Sequence, residues 1–586
     1  MNERQHYLGR NMMKDVIVGI DLGTTNSEVA VVREGRVEMI PVSPEGPILP
    51  SVVGIAPGGD LLVGVEAKNQ ATLYPERTIL SVKRRMGEIG KIPLGEREFT
   101  PPEISALILG RLKQAAESYL GQSVSKAVIT VPAFFSDAQR QATREAGEIA
   151  GLEVVRILNE PTAAALAYEK RVGEARKVVV YDLGGGTFDV SVVNIERGVV
   201  EVMASHGNNF LGGDDFDRKI QLHLLDHIKT TWGADLSGDR GVLSRLRRAA
   251  EEVKRLLSDR PFGTVSEEFL FERDGLPVHL TLELSRQDYE TMISDYIEET
   301  INAVRVALSN ASLPASAIDE ILLVGGSTRT PLVWRRLEEE FGREPRVELN
   351  PDLCVAMGAA IQASRLAGEE VGQVLVDVTP RSFGISAMGN RDGDLGMIFV
   401  PLIRRNTPIP VTKSEAFLPF HDGQKAVQIE VLQGESLYPE ENAPLGSVML
   451  EGLADRAHND IVVNFSLDAD GILQISAREK ATGLERSLVI ERAVARAGEE
   501  ELERSRNRVA ELLGDEGIPG EALPKKGERE AELLSRARDL LAKLEGADRE
   551  DLAERIGEVE AVREGSEAEL SAACDALEDL IFFLGH

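Results

Sequence analysis

Between Lys177 and Val193 the chain reads KVVVYDLGGGTFDVSVV. Two good strand segments are interrupted by Gly184, Gly185 and Gly186, and the break is bracketed by Asp182 and Asp189. Glycine weakens a strand interior, so a glycine triplet there marks a tight bend or a place where another group must come close. The segment GIDLGTTNSEVAVV (19–32) has the same grammar: apolar strand, Asp21, leucine, Gly23, a small polar turn of Thr24, Thr25 and Asn26, then an alternating strand. Two such hairpins in one chain predict a duplicated core.

The surrounding pattern is α/β. DVIVGID (15–21), KAVITVP (126–132), KVVVYDL (177–183) and DEILLVGG (319–326) read as buried strands, while 137–151 and 243–258 read as amphipathic helices. After VGQVLVDVTP (371–380) the pattern shifts to short alternating strands over about 380–494, with a hairpin around Asp470–Gly471, which predicts an antiparallel sandwich. From about 497 onward it is helical and charged, with Leu533, Leu534, Ala537, Leu540, Leu541 and Leu544 on the 3.6-residue period. A chain of 586 residues is too long for one core. The expected divisions are 14–370, a linker 371–377, a sandwich 378–494 and a helical lid or tail 495–586.

Composition narrows the function classes. A formal charge of −31 makes nucleic acid an unlikely general partner, although a local basic cleft can still hold a nucleotide. Two cysteines, Cys354 and Cys574, cannot build a disulfide framework and suit a reducing cytoplasm. No apolar run reaches the roughly 18 residues of a membrane span. The opening MNERQHYLGRNMMKD lacks a signal-peptide core, and Met1, Met12 and Met13 are each candidate starts.

A side-chain-free hairpin tip lets backbone N–H groups approach an anion. Asp21 and Asp182, one at each strand end, suit a hydrated Mg²⁺, which keeps several waters and uses few carboxylates. A third strand-plus-loop, LLVGGSTRTP (322–331), supplies Gly325, Gly326, Ser327 and Arg329. Three loops of this type point to a nucleotide site. His223 and His227 in HLLDH share an i, i+4 face, but Leu224 stands where a zinc protease needs glutamate, so they are not read as a metal site.

The motifs GIDLGTTNS, VKRRMG, VPAFFSDAQRQATREAG, NEPTAAALAYE, DLGGGTFDVSV, LGGDDFD, LVGGSTRTP and NPDLCVAMGAAIQA run in order over residues 14 to 370. With them the chain closely resembles the DnaK-like, seventy-kilodalton heat-shock chaperone family. The resemblance implies an actin-like ATPase core, shared with actin and sugar kinases, that binds ATP or ADP with Mg²⁺ and hydrolyses ATP. It implies that Lys83 orients the attacking water, that Glu160 lies near metal and water, and that Thr187 sits beside the γ-phosphate. Asp21 and Asp182 would hold the metal through water. Glu251, Lys254 and Ser258 would meet the adenosine, with Gly326, Ser327 and Arg329 completing that pocket and Asp352 an acid in it.

The same resemblance implies a cytoplasmic, bacterial chaperone that binds extended apolar segments of unfolded clients and acts in folding and stress. Met388 and Val427 align with the peptide groove. Pro132 and Arg140 align with relay residues, and Val374, Leu375 and Asp377 with the coupling linker. A J-domain co-chaperone and a nucleotide-exchange factor are the expected partners, without nucleic acid or membrane. Gln373 in the linker, the acidic 388–399 stretch and the short C-terminal region resemble the specialised bacterial HscC-type branch. A sugar-kinase-like phosphotransferase and an actin-like filament protein are the rival readings on the same core; neither accounts for the sandwich and helical tail.

Overall fold

The computed structural model describes residues 16–169, 175–196, 198–346, 349–368, 374–456, 458–489, 499–514, 526–541, 547–561, 573, 574 and 577. They fall into two compact units, 1–42 with 47–515, and 43–46 with 516–586.

In the larger unit each glycine hairpin lies at the centre of its own mixed sheet. The first sheet runs Glu153–Asn159, Lys126–Val131, Ile17–Leu22, Asn26–Arg33, Arg36–Met39. Its first three strands are parallel and the rest antiparallel. The second sheet runs Glu320–Val324, Arg176–Leu183, Phe188–Glu196, Val199–Asn208 and continues into Val374–Val378 and Pro408–Ile409. Again a parallel pair precedes the antiparallel hairpin. All four strands expected from the sequence are present, and the repeated topology matches the duplicated grammar of the two hairpins.

Helices Glu160–Glu169 and Cys354–Leu366 share one apolar core with strands of both sheets. They come close because the contact residues are small. A Cβ on Gly358 would sit 1.7 Å from the carbonyl oxygen of Ala163, and one on Gly19 would sit 2.0 Å from the backbone nitrogen of Ala360. Helix-to-helix and helix-to-strand backbones therefore meet with no room for a methyl group, which fixes the hairpin ends relative to the core.

Beyond Val378 two four-stranded antiparallel sheets, Asp394–Ile403/Phe383–Arg391/Ala426–Gln433/Ala443–Glu451 and Val411–Phe417/Ile461–Leu467/Leu473–Glu479/Glu485–Val489, enclose a single core. Alternating burial along Ile461–Leu467 and Leu473–Glu479 is the period-two pattern of strands with one face inward. Gly471, at φ 79°, makes the turn between them. The expected arch 388–399 is a regular hairpin closed at Asp392–Gly393, with Met388 opposite Met397.

The linker differs from a plain connector. Val374–Val378 is a strand, parallel to Val199–Glu201 on one side and antiparallel to Pro408–Ile409 on the other. Gln373 lies outside the described residues. Helix Glu499–Leu513 belongs to the larger unit and packs on helices Pro101–Leu120 and Asp137–Ile149. In the smaller unit helices Lys526–Leu541 and Ala547–Ala561 bury Leu533, Leu534, Ala537, Leu552, Ile556 and Val559 together. Of the expected apolar stripe only Leu544 lies outside the described residues.

Candidate functional site

The tips of the two hairpins face one another. A Cβ on Gly185 would fall 1.8 Å from Thr25 Oγ1, and one on Gly186 would fall 2.6 Å from Thr24 Cγ2. Gly185 and Gly186 are thus required by the opposing threonines: only bare backbone fits there. The third loop joins them. Ser327 Oγ donates to the Gly184 carbonyl at 2.9 Å, and Gly325 holds φ 81°, where a Cβ would fall 2.5 Å from the Leu183 carbonyl oxygen.

Behind the tips lies a dense set of charges. Lys83 is only 3% exposed and forms an ion pair and hydrogen bond with Glu160, itself buried. A lysine from the short 3-10 turn Val82–Arg85 meets the first residue of helix Glu160–Glu169. Asp21 accepts from Thr130 Oγ1 at 2.7 Å. Across the two ladders Asp21 stands opposite Glu28, and Asp182 opposite Asp189. Thr187, at the end of the second turn, is buried.

These acids share too little positive charge. Burial raises Asp21, with Lys83 and Thr130 pulling back. Burial, then Glu160, Asp189 and Asp21, push Asp182 well above the usual carboxylate range. Glu160 is pushed up to about 7, because burial outweighs the attraction of Lys83. Asp189 is likewise raised to about 7 by burial, against the Phe134 N–H that it accepts at 2.9 Å. Burial works against the Lys83 ammonium, but Glu160, Asp21 and Asp182 together keep its pKa above the ordinary lysine value. Such a cluster is relieved by an added cation.

The predicted nucleoside end is assembled on helix Arg240–Asp259. Glu251 pairs with Lys68 at 2.9 Å, and Lys254 pairs with Asp217 at 2.8 Å and donates to the Gly213 carbonyl. Ser258 instead turns its hydroxyl back to the Lys254 carbonyl. Arg329 pairs with Asp352 at 2.8 Å, and a Cβ on Gly326 would fall 3.2 Å from that carboxylate.

Arg140, expected from the sequence as a relay residue, meets the residues that hold Asp377. Arg140 Nη2 donates to Asn159 Oδ1 at 2.7 Å and to the Ala133 carbonyl at 3.0 Å, one residue beyond Pro132. Asn159 Nδ2 and Thr162 Oγ1 both donate to Asp377 Oδ2, at 3.0 and 3.1 Å. Leu375 packs against the ATPase-side core; of Val374 only the backbone pairing with Val199 is described. Arg144 and Arg156 both clamp Asp470 in the turn between two sandwich strands.

Met388 and Val427 lie on neighbouring strands of one sheet. Their strands pair only at Phe383–Ile385, so the ladder has ended before Met388 is reached. Met388 is half exposed, while Val427 packs against the sandwich core. Sequence reasoning missed Glu28, Asp189, Lys68, Asp217, Asn159, Thr162, Arg144, Arg156 and Asp470. A charged residue on the inward face of a valine-rich strand was a visible signal for Glu28; Arg144 and Asp470, 326 positions apart, carried none.

A family model described as Hsp70 protein matches residues 17–93 and 88–581. The chain belongs to the Hsp70 family. It is 47% identical over 546 residues to the chaperone protein DnaK of Thermotoga neapolitana, covering 92% of this chain and 89% of that one. Against the DnaK of Thermotoga maritima it is 47% identical over 541 residues (91% and 88%), and against that of Thermosipho africanus 46% over 535 (90% and 87%). The chain is an ATP-dependent molecular chaperone with ATPase activity, and it binds ATP and ADP. These relatives are DnaK proteins and lend nothing to the narrower HscC-type branch.

The buried acids of this Hsp70 give a pH dependence of known sign. Asp189 has a folded-state pKa raised to about 7, above an unfolded value near 4. Its contribution to stability is therefore greatest below about pH 4 and is lost as pH rises through about 7. Asp189→Asn keeps an acceptor for Phe134 and removes the charge. In chelator-treated, nucleotide-free protein this variant should gain about 2–3 kcal/mol relative to wild type between pH 5 and 8 in urea unfolding. Parallel curves for the two proteins would contradict the assignment.

Proposed function

We propose that this chaperone grips Mg·ATP between the two glycine hairpins and transmits the grip to a peptide groove in the sandwich. The observation that carries the proposal is the buried Lys83–Glu160 pair directly adjoining Asn159, which holds Asp377 at the sandwich boundary.

The carboxylate oxygens of Asp21 and Asp182 are hard ligands of the kind Mg²⁺ takes. Because Mg²⁺ keeps several waters and uses few carboxylates, Asp21 and Asp182 would hold the ion through water. When bound it supplies neutralisation of phosphate charge. Lys83 orients the attacking water and steadies the phosphoryl oxygens from a dry position. Glu160 fixes the Lys83 ammonium and, once ionised, accepts a hydrogen bond from water. Thr24, Thr25, Asn26 and Thr187 line the phosphate loops with Gly23 and the triplet Gly184 to Gly186. Glu251, Lys254, Ser258, Gly325, Gly326, Ser327, Arg329 and Asp352 surround the nucleoside.

The domain divisions follow the same reading: an ATPase domain over 14–370, the linker 371–377, the sandwich 378–494 and a lid from 495. Linker docking beside Val199–Glu201 defines one state; its release defines the other, and the difference in burial is the coupling energy. The ladder between the Met388 and Val427 strands covers only Phe383–Ile385, and an extended client would add its main chain in this region of the sheet. A J-domain protein and an exchange factor are proposed partners. A cytoplasmic location in a bacterium fits the bacterial relatives and two buried, unbridged cysteines. Among the described residues no helix is long and apolar enough to cross a membrane.

Lys83→Ala should bind Mg·ATP and lose about a hundredfold or more in single-turnover hydrolysis; normal turnover would remove Lys83 from the chemistry. In the wild type, Mg·ATP should release a bound fluorescent apolar peptide about tenfold faster than Mg·ADP. Equal release rates would refute the coupling.

A further inference from the structure

A cavity of about 300 Å³ lies where the ATPase side meets the sandwich, away from the nucleotide loops. Phe134, His206 and Asn310 wall it on one side, and Arg381, Arg405 and Gln433 on the other. The Arg381 guanidinium lies over the Phe134 ring, 4.3 Å from its centroid, and its buried Nε has no hydrogen-bond partner. The buried Nδ2 of Asn310 likewise has none. A planar guanidinium fixed by stacking, with its edge unspent, is a preorganised oxyanion fork.

The lining acids spend their hydrogen bonds elsewhere, although Glu435 is near enough to act on the Arg381 charge through space. Both Glu435 oxygens accept from Ser382, its N–H at 2.8 Å and its Oγ at 3.1 Å, and only a 3.8 Å contact reaches Arg405. Glu441 accepts from Ser436 Oγ at 2.6 Å. Arg405 and Arg381 are both close enough to His206 to join burial in lowering its pKa. Two cations and a histidine thus converge on one space where two buried donors, Arg381 Nε and Asn310 Nδ2, and one buried acceptor, Gln433 Oε1, lack partners, an arrangement that costs free energy until a polar ligand arrives.

We infer that this cavity is a binding site for a small oxyanion, a carboxylate or phosphoryl group held by Arg381, Arg405 and Asn310. The volume suits a small dicarboxylate or a phosphate monoester. Because its walls come from both sides of the docked linker, the inference rests on the docking described under the proposed function. An anion that needs both walls favours the docked arrangement by linkage.

The test is calorimetry on the full chain, saturated with a Mg-bound, non-hydrolysable ATP analogue so that phosphate cannot enter the nucleotide site. Succinate and inorganic phosphate are the probes. Wild type should give saturable heat with at least one of them, and which one responds distinguishes a carboxylate from a phosphoryl ligand. Arg381→Gln should weaken binding about tenfold by removing a charge-assisted donor. Asn310→Asp should block it by placing a carboxylate among the cations, without touching any buried apolar residue. Both variants should still bind the nucleotide analogue. No saturable heat in wild type, or heat unchanged in Asn310→Asp, overturns the site. Peptide release is read separately, so that result removes the anion site and leaves the chaperone reading standing.

Discussion

The five-residue strand Val374–Val378 is the constraint on which the larger unit's arrangement depends. It has no sheet of its own. Val374–Val376 borrow the edge of the ATPase-side sheet at Val199–Glu201, and Asp377–Val378 pair with the first short strand of the sandwich region. An edge strand left open is a template for pairing, and here the chain fills it with its own linker. The buried Asp377 carboxylate adds specificity, because Asn159 and Thr162 meet one of its oxygens and a displaced linker would leave both donors unpaired.

That arrangement links two kinds of energetics. At the nucleotide loops the main term is electrostatic: buried acids exceed buried cations, and the site favours whatever brings positive charge. At the linker the terms are strand pairing and side-chain hydrogen bonds. The two regions share adjacent residues, since Asn159 ends a strand and Glu160 begins a helix. The carboxylate paired with Lys83 is therefore one residue away from the group that holds Asp377. Arg144 and Arg156, closing on Asp470, form a second contact between the same two regions.

Much of this was legible in the sequence because it depends on local chemistry. The buried strands announce themselves as valine- and isoleucine-rich runs, and the two hairpins repeat a pattern that only close backbone approach explains. Lys83 and Arg140 were found through their motifs, although nothing local shows that Lys83 is buried. What stayed hidden depends on distant pairing. The Asp470 clamp joins the two ends of the larger unit, and Asp189 looked like the closing bracket of a turn until its carboxylate was seen to hold the Phe134 N–H. The linker was legible as a coupling segment through its resemblance, but its strand partners were not, because edge pairing leaves no periodic signature in five residues. The short ladder between the Met388 and Val427 strands is a property of pairing, which the alternation of side chains does not encode.

The most direct test of this account is hydrogen exchange at the backbone amides of residues 374–378 in the full chain, compared between Mg·ATP and Mg·ADP. Strand docking governed by nucleotide predicts strong protection with ATP and rapid exchange with ADP. Equal protection in the two states would mean that the linker strand does not report on the nucleotide, and the coupling described here would be wrong.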